Sequence, residues 1–590
     1  VLVAGATVTS KLMGCADDVA AASIEGDAEG TDSTQIEDTP EQPGPVLEGA
    51  AWFPQSVASG DPRPDGLILW ARAVDPKDAA RELAVSLEVA LDETFTQLVT
   101  LSGKAAATLT ATPTTDHCLK VRLEGLSPGT TYYYRFIVES DARYASRTAR
   151  TRTAPAPDAD VRARFAYVSC QDYNGRYYHA YKQLLALDPA PDFVVHLGDY
   201  IYETTGNPEF QSSTDDRRIT LTDTAGAITF GAGTELEYFA AQSLSNYREL
   251  YHQYRSDPDL QAVHERFPLI ATWDDHEFSD DCWGVTATYY DGAKDETQPE
   301  RRRAASQAWS EHMPVDFPGA PDFVYDSAKP IGEDIRVYRD VVWGKHIQLF
   351  MTDNRSYRAD HLIAEDAYPG ALAASEAALL KATGKTPDDL SHFIDIDLAE
   401  YQEHAALLKS VATAKGAFPA KVAGQLSVAW VNSVLDGLAE AGTPVPPPIT
   451  AKDDMPRGYA WFDAGKLGHT GALGSRYFGI YERFKAIAKV KYDESSGASE
   501  DMLGKEQEAW LTAGIAASEQ TWKIWGTSLA LATHNVDLHE MTGAIPDSFL
   551  HTWALLLEDW NGAPNRRDEL VTPIAKPPGT VALSGDIHSF

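Results

Sequence analysis

The chain has 590 residues and a formal net charge of −37, with 87 acidic side chains set against 50 lysines and arginines. Such a length exceeds a single compact core, so two or more domains are expected, and the negative charge opposes nonspecific binding to nucleic acid, which depends on neutralising phosphates. Four cysteines, at positions 15, 118, 170 and 282, imply no disulfide framework, and no apolar run reaches the roughly 18 residues of a membrane-spanning helix.

Residues 1–14 (VLVAGATVTSKLMG) read as the tail of a signal peptide, and Leu12-Met13-Gly14-Cys15 resembles a bacterial lipobox, although Lys11 is atypical of one. Lipidation of Cys15 is the expectation; an unstructured leader with an incidental cysteine is the alternative. Asp17 to Gly49 is acidic, rich in small residues and nearly free of aromatics, so it cannot offset the entropy of ordering. Residues 1–49 are therefore assigned to a leader and a disordered acidic tether. A secreted, periplasmic or cell-surface location follows, with membrane contact only through the lipid.

From residue 50 to 155 the pattern becomes short alternating runs: Gly66–Arg72, Leu83–Leu91, Cys118–Leu123 and Thr131–Val138. Strands at that spacing, with turn signals between them, predict a small all-β sandwich. The stretch Leu126 to Arg135 resembles the corner of fibronectin type III domains, where a tyrosine hydroxyl ties back to the chain. Cys118 is read as a core thiol.

A Pro-rich joint, Ala154 to Asp160, leads into residues 160–590, where helices and strands alternate. Phe193-Val194-Val195-His196 is a strand apolar enough to be buried on both faces, and it runs into Gly198-Asp199-Tyr200-Ile201-Tyr202. The same ending recurs. Phe165–Ser169 runs into Cys170, Leu269–Trp273 into Asp274-Asp275-His276-Glu277, Ile347–Thr352 into Asp353-Asn354-Arg355, and Thr580–Ser584 into Gly585-Asp586-Ile587-His588. Ligands in open α/β sheets gather outside the carboxyl ends of strands, so these endings predict one crevice. Tyr177 to Leu187 carries helical spacing. Two interruptions stand out, at about 204–239 and 359–505. The first is expected to be a surface loop near the site; the second contains helical stretches at Leu398–Val411 and Lys421–Leu438. The fold class is α/β (α+β), a core of mixed sheets with flanking helices preceded by the sandwich.

Shared carboxylates, a phenol, a thiol and imidazoles are the donors of a two-metal hydrolytic site. In this order the motifs resemble those of the PhoD-like alkaline phosphatases, a branch of the calcineurin-like metallophosphoesterases, and Phe53 to Pro62 resembles the start of that family's N-terminal sandwich. The resemblance runs from about Phe53 to Phe590. It implies hydrolysis of phosphate esters outside the cell with Fe3+ and Ca2+, another divalent metal being the alternative. Carried over by motif, Asp199 bridges the metals, Cys170, Tyr202 and His588 serve iron, and Asp275 and Asp586 serve calcium. His276 then stands at the leaving-group oxygen, and Arg355 is the phosphate clamp, with Arg358 the weaker candidate. The donor types agree, because hard oxygen ligands suit calcium and a phenolate suits a trivalent ion.

Asp280 and Asp281 occupy positions where that family usually has asparagines, and the chain stops two residues after His588, so a truncated C-terminus is expected. His196 is read as a hydrogen-bonded core residue, and Cys282, His534 and His539 as structural or surface residues. The expected substrates are small or polymeric phosphate esters, handled by a monomer without specific nucleic-acid binding. The rival readings are a phosphodiesterase or phospholipase D-like enzyme acting on diesters, and a surface-binding protein without catalysis.

Overall fold

Side chains at alternate strand positions divide the core into layers. In the computed structural model, which describes residues 45–208, 211, 217–287, 296–316, 329, 335–414, 419–466 and 477–588, residues from 45 onward form one compact unit. Cys15, with the leader and most of the tether, lies outside the described residues.

The longer strands of the N-terminal segment are β1 (Val57–Gly60), β2 (Gly66–Arg72), β3 (Leu83–Ala90), β4 (Cys118–Glu124) and β5 (Thr131–Glu139), with shorter ones at Val46–Glu48, Leu109–Ala111, Arg143–Ala145 and Ala149–Arg152. β3 and β5 pair antiparallel with Leu87 opposite Phe136, and their inner residues pack on Val57, Leu69 and Val121 from β1, β2 and β4. That is the expected sandwich interior, and Tyr132 Oη accepts from Ser127 N at 2.8 Å as the corner motif requires.

The sheet does not stop at the Pro-rich joint. β6 (Phe165–Val168), β7 (Phe193–His196) and β8 (Leu269–Ala271) run parallel, with Phe165 opposite Phe193 and Val194 opposite Leu269. β8 then pairs with β1 through Leu269 and Gly60, which continues the sheet into β2 and β4. A second sheet holds β9 (Arg339–Trp343), β10 (Ile347–Met351), β11 (Trp522–Gly526) and β12 (Thr580–Leu583), in that order. β9 and β10 are antiparallel, and β10, β11 and β12 are parallel.

Phe193, Val195 and Ile270 from the first sheet meet Val341, Trp343, Leu349, Met351 and Ile524 from the second. The residues between them face outward: Val194, Leu269 and Ala271 pack under α1 (His179–Leu185), α2 (Leu244–Tyr254), α3 (Pro258–Arg266) and α4 (Pro299–His312). Phe350 and Trp525 lie likewise against the helices Lys505–Ala517 and Pro564–Ile574. Four layers result, helix, sheet, sheet and helix, and the parallel strands deliver their carboxyl ends to one edge.

The first interruption is more buried than a surface loop, and the second holds the expected helical stretches together with a sheet. Thr204, Thr205 and Gln211 are buried, and Gln211 Nε2 donates to Asp172 Oδ1 at 3.2 Å, so part of the first loop is packed into the molecule. The second carries a four-stranded sheet of its own, built from Leu372–Ser375, Arg457–Ala460, Ser391–Asp395 and Gln425–Ser427. Two of its helices span Gln402–Ala414 and Val428–Glu440. The second of these starts later than its periodicity suggests, because Ser427 caps it by accepting from Trp430 N.

One buried ion pair staples these layers. Asp61, directly after β1, accepts from Arg339 at 2.6 and 2.7 Å, and Arg339 also donates to the Ala271 carbonyl at 2.9 Å. Both side chains are within 1% of complete burial. Breaking such a pair from one side leaves an uncompensated charge, so Asp61→Asn should cost about 3–5 kcal/mol. Urea denaturation should show the loss, with the pair Asp61→Leu/Arg339→Met recovering most of it.

Candidate metal centre

Three of the expected ligands sit in the left-handed backbone region: Cys170 at φ 57°, Asp199 at φ 56° and Asp586 at φ 66°. Each follows the end of a parallel strand, β6, β7 or β12. Non-glycine residues in this region carry strain that the surroundings must impose, and such strain clusters at functional sites. Gly198, at φ 109°, is required for closeness. A Cβ there would lie 2.4 Å from Asp274 Cβ, so the β7 and β8 loops touch through it.

The turns bring the ligand types into two adjoining groups. Cys170, Asp199 and His588 form one, and Asp199, Asp274, Asp275 and Asp586 the other, with the ligand atoms of each group within 4.8 Å of one another. Asp199 belongs to both. Tyr202 joins the first, its hydroxyl 3.5 Å from Asp199 Oδ2 and 3.1 Å from His588 Nε2.

A cation fits this donor set. Asp199 Oδ1, Asp274 Oδ2 and Asp275 Oδ1 are buried without a hydrogen-bond partner among the described residues, which is costly for a carboxylate. Burial, and then the neighbouring Cys170 and Asp275, push Asp199 well above the usual carboxylate range. Asp586 is raised by burial and Asp274, while Asp274 itself is raised to about 7 by burial. Burial pushes the Cys170 thiol up to about 12 and raises the Tyr202 phenol. Groups that resist ionisation for want of a counter-charge are what a metal stabilises in their anionic forms.

Arg355 does not stand where a phosphate clamp would. It is fully buried, with Nε 2.5 Å from Asp274 Oδ1, its Nη1 bonded to Glu558 and its Nη2 3.6 and 3.7 Å from Asp275 and Asp586. Surrounded by carboxylates, its fork is already spent on protein. Burial raises the carboxyl of Asp275, but Arg355 and His276 overcome this and hold it below the usual range. Arg358 is turned away too, donating to the Glu558 side chain at 2.5 Å and to its carbonyl at 2.9 Å.

His276 lies at the edge of the same group. Its Nδ1 is 2.7 Å from Glu203 Oε2, and its ring packs on Tyr202 with centroids 4.1 Å apart. Burial would strip its proton, yet Asp275 and Glu203 outweigh burial and hold the ring protonated. Glu277 binds the two loops together by accepting from the backbone amides of Asp199, Tyr200 and Asp274 at 3.2, 2.7 and 2.8 Å. Asp281 N donates to Asp275 at 2.6 Å, so the departure at 280–281 adjoins the carboxylate group. Beside Cys170, Tyr202 and His588 lies a cavity of about 740 Å3, lined also by Arg176, Tyr177 and Tyr181.

Sequence reasoning missed Asp274, Glu203, Glu277 and Glu558. The first three stand inside or next to quoted motifs; Glu558, in LLLEDW, carries no local signal. His196 is buried in β7, and Cys282 is a buried thiol beside Arg302. His534 pairs with Asp559.

Residues 165–386 and 443–590 match the family model described as PhoD-like phosphatase, and residues 41–155 match that of its N-terminal domain. The chain belongs to the PhoD-like phosphatase family. Alkaline phosphatase D of Bacillus subtilis (strain 168) is 37% identical over 314 residues, covering 52% of this chain and 47% of that protein, so the chain spans about half the length of this relative. A solved structure titled "Structure of PhoD" matches with a TM-score of 0.54 and 25% identity, over 92% of this chain and 73% of that one. The inserted residues 387–442 fall outside the PhoD-like match.

If Arg355 holds the carboxylates of this PhoD-like site in place, Arg355→Lys, which keeps the charge and loses the fork, should weaken metal binding by about 10–100-fold. Metal titration of the stripped protein measures this. Unchanged affinity would return Arg355 to a substrate-facing role.

Proposed function

We propose that the chain is a metal-dependent hydrolase of phosphate esters that works outside the cytoplasm and serves phosphate acquisition. The observation that carries this reading is the position of Asp199, common to both ligand groups and with one oxygen unbonded. The likeness to alkaline phosphatase D supports the substrate class. Cys170, Asp199, Tyr202 and His588 would hold iron(III), and Asp199, Asp275 and Asp586 would hold calcium, with Asp274 added to that side. When bound, the two cations would supply Lewis acidity and neutralise charge at the phosphate oxygens.

The remaining work falls to the chain itself. Glu203 fixes the His276 ring through Nδ1, so Nε2 is the atom that gives a proton to the leaving-group oxygen. Arg355 keeps the carboxylates at their spacing instead of touching substrate. The division into a sandwich at 50–155 and a catalytic domain at 160–590 belongs to the same reading, supported by the separate matches to 41–155 and to 165 onward.

Action on diesters is the second reading. It is favoured by the cavity of about 740 Å3 beside the ligands, whose tyrosines leave room for a second apolar ester group. Initial rates on p-nitrophenyl phosphate and on its bis-ester separate the two, the faster substrate deciding.

A phenol near pKa 10 ionises at neutral pH only beside a highly charged ion, and phenolate on iron(III) absorbs visible light. The purified enzyme should therefore be coloured, bleach under a mild reductant, and lose or shift its band in Tyr202→Phe. A colourless protein with stoichiometric iron(III), or a spectrum indifferent to that substitution, would remove Tyr202 from the metals.

Anchoring through Cys15 completes the proposal. Expressed with a full leader in a bacterial host, the protein should fractionate with membranes and Cys15→Ser should release it. Equal solubility of both forms would end the lipid-anchor reading and leave the catalytic one standing.

A further inference from the structure

Away from the strand ends, a second group of metal-ligand side chains gathers where the N-terminal sandwich meets the helical layer. Asp116 lies in the turn before β4, His252 on the last turn of α2 and His312 at the end of α4. One ligand atom from each lies within 4.8 Å of the other two. His312 Nε2 is 3.0 Å from Asp116 Oδ2, and His252 Nε2 closes on the same oxygen.

Bonds on its far side fix how His312 faces the carboxylate. Its Nδ1 donates at 2.8 Å to the Ala308 carbonyl, which can only accept, and this turns Nε2 toward Asp116. The ring cannot turn away. It is fully buried and stacked on Tyr251, with centroids 4.9 Å and planes 11° apart. Arg72 donates from Nε to Oδ2 and from Nη2 to Oδ1 of Asp116, both at 3.1 Å, which fixes the plane of the carboxylate. Three nitrogens thus approach Oδ2, an oxygen with two lone pairs.

We propose that Asp116, His252 and His312 hold a divalent transition ion of the zinc class, at a site separate from the strand-end centre. Two imidazoles and one carboxylate are a donor set that suits zinc and its neighbours better than calcium or magnesium. A backbone carbonyl on the far nitrogen of His312 is the partner that orients a metal-bound imidazole. The His252 and Asp116 side chains keep 24% and 13% of their exposure, which leaves a path for ion entry. The ion ties the turn before β4 to α2 and α4, so it braces the sandwich against the core and takes no part in ester chemistry.

The test is a titration of the metal-stripped, full-length chain with Zn2+, and with Co2+ as a coloured probe, beside His252→Gln, whose amide still reaches Asp116. The variant should bind one equivalent fewer than the parent protein and show a smaller zinc-dependent rise in Tm, while hydrolysing esters at the parental rate. Equal equivalents in the two proteins would overturn the assignment, as would loss of the equivalent together with activity. If His252→Gln does not fold, carbethoxylation of His252 in the unsubstituted chain decides. Protection by zinc upholds the site, and equal rates with and without zinc overturn it.

Discussion

A guanidinium buried among carboxylates is the interaction on which the strand-end centre depends. Arg355 has no exposed surface, and alone in that position it would carry a desolvation cost of several kcal/mol. Asp274 and Glu558 compensate it directly, and Asp275 and Asp586 stand at the margin of the same field. The compensation is mutual: burial raises Glu558, but Arg355 and Arg358 prevail and keep it ionised far below the usual range. The arginines do not offset burial throughout: the carboxyls of Asp199, Asp586 and, despite its bond to Arg355, Asp274 are all raised, with burial the largest cause. A site so built sets carboxylates in front of buried arginines, which draws cations to the carboxylate face.

The backbone accepts strain to make that field. Left-handed turns at Cys170, Asp199 and Asp586 place ligands from three separate strands at one edge, and the amide bonds to Glu277 hold two of the loops in register. Positioning by hydrogen-bonded backbone is stiffer than positioning by side-chain packing alone, because it removes dihedral freedom at the loop itself. The sandwich contributes through the same logic, since Asp61 anchors the start of β9 while its own amide donates to the Leu269 carbonyl at 2.9 Å.

Much of this was legible in the chain. Gly66–Arg72 and Phe193–His196 state their strands because burial selects them, and both bounds agree with the structure, although Gly66–Arg72 is buried along its whole length instead of alternating. The strand-end rule assembled Cys170, Asp199, Tyr202, Asp275, Asp586 and His588 into one neighbourhood. The tandem Asp274-Asp275 was only half read. After a strand ends, alternation no longer assigns one residue in and the next out, and both carboxylates turn inward. The clamp reading of Arg355 came from its motif, which reports proximity to a site and not which side of it a long side chain fills. Glu558 was invisible, since its partners lie 200 and 203 residues earlier in the chain. The Asp116, His252 and His312 group has the same cause, three isolated residues joined only by tertiary packing.

The late position of β12 in the chain has a consequence for the order of events during synthesis. β12 pairs with β11 through four residues and carries Asp586 and His588, which come to rest beside Cys170, a ligand type 416 residues earlier than Asp586. A ribosome delivers Cys170, Asp199 and the β8 carboxylates long before their remaining partners exist, at the usual five to twenty residues per second or so. Until β12 docks, the emerging chain holds an incomplete, electrostatically frustrated cluster, and ions it meets on the way are held by fewer ligands than the finished protein offers. The full donor set therefore exists only once β12 has docked on β11, so formation of that strand pair precedes completion of the centre.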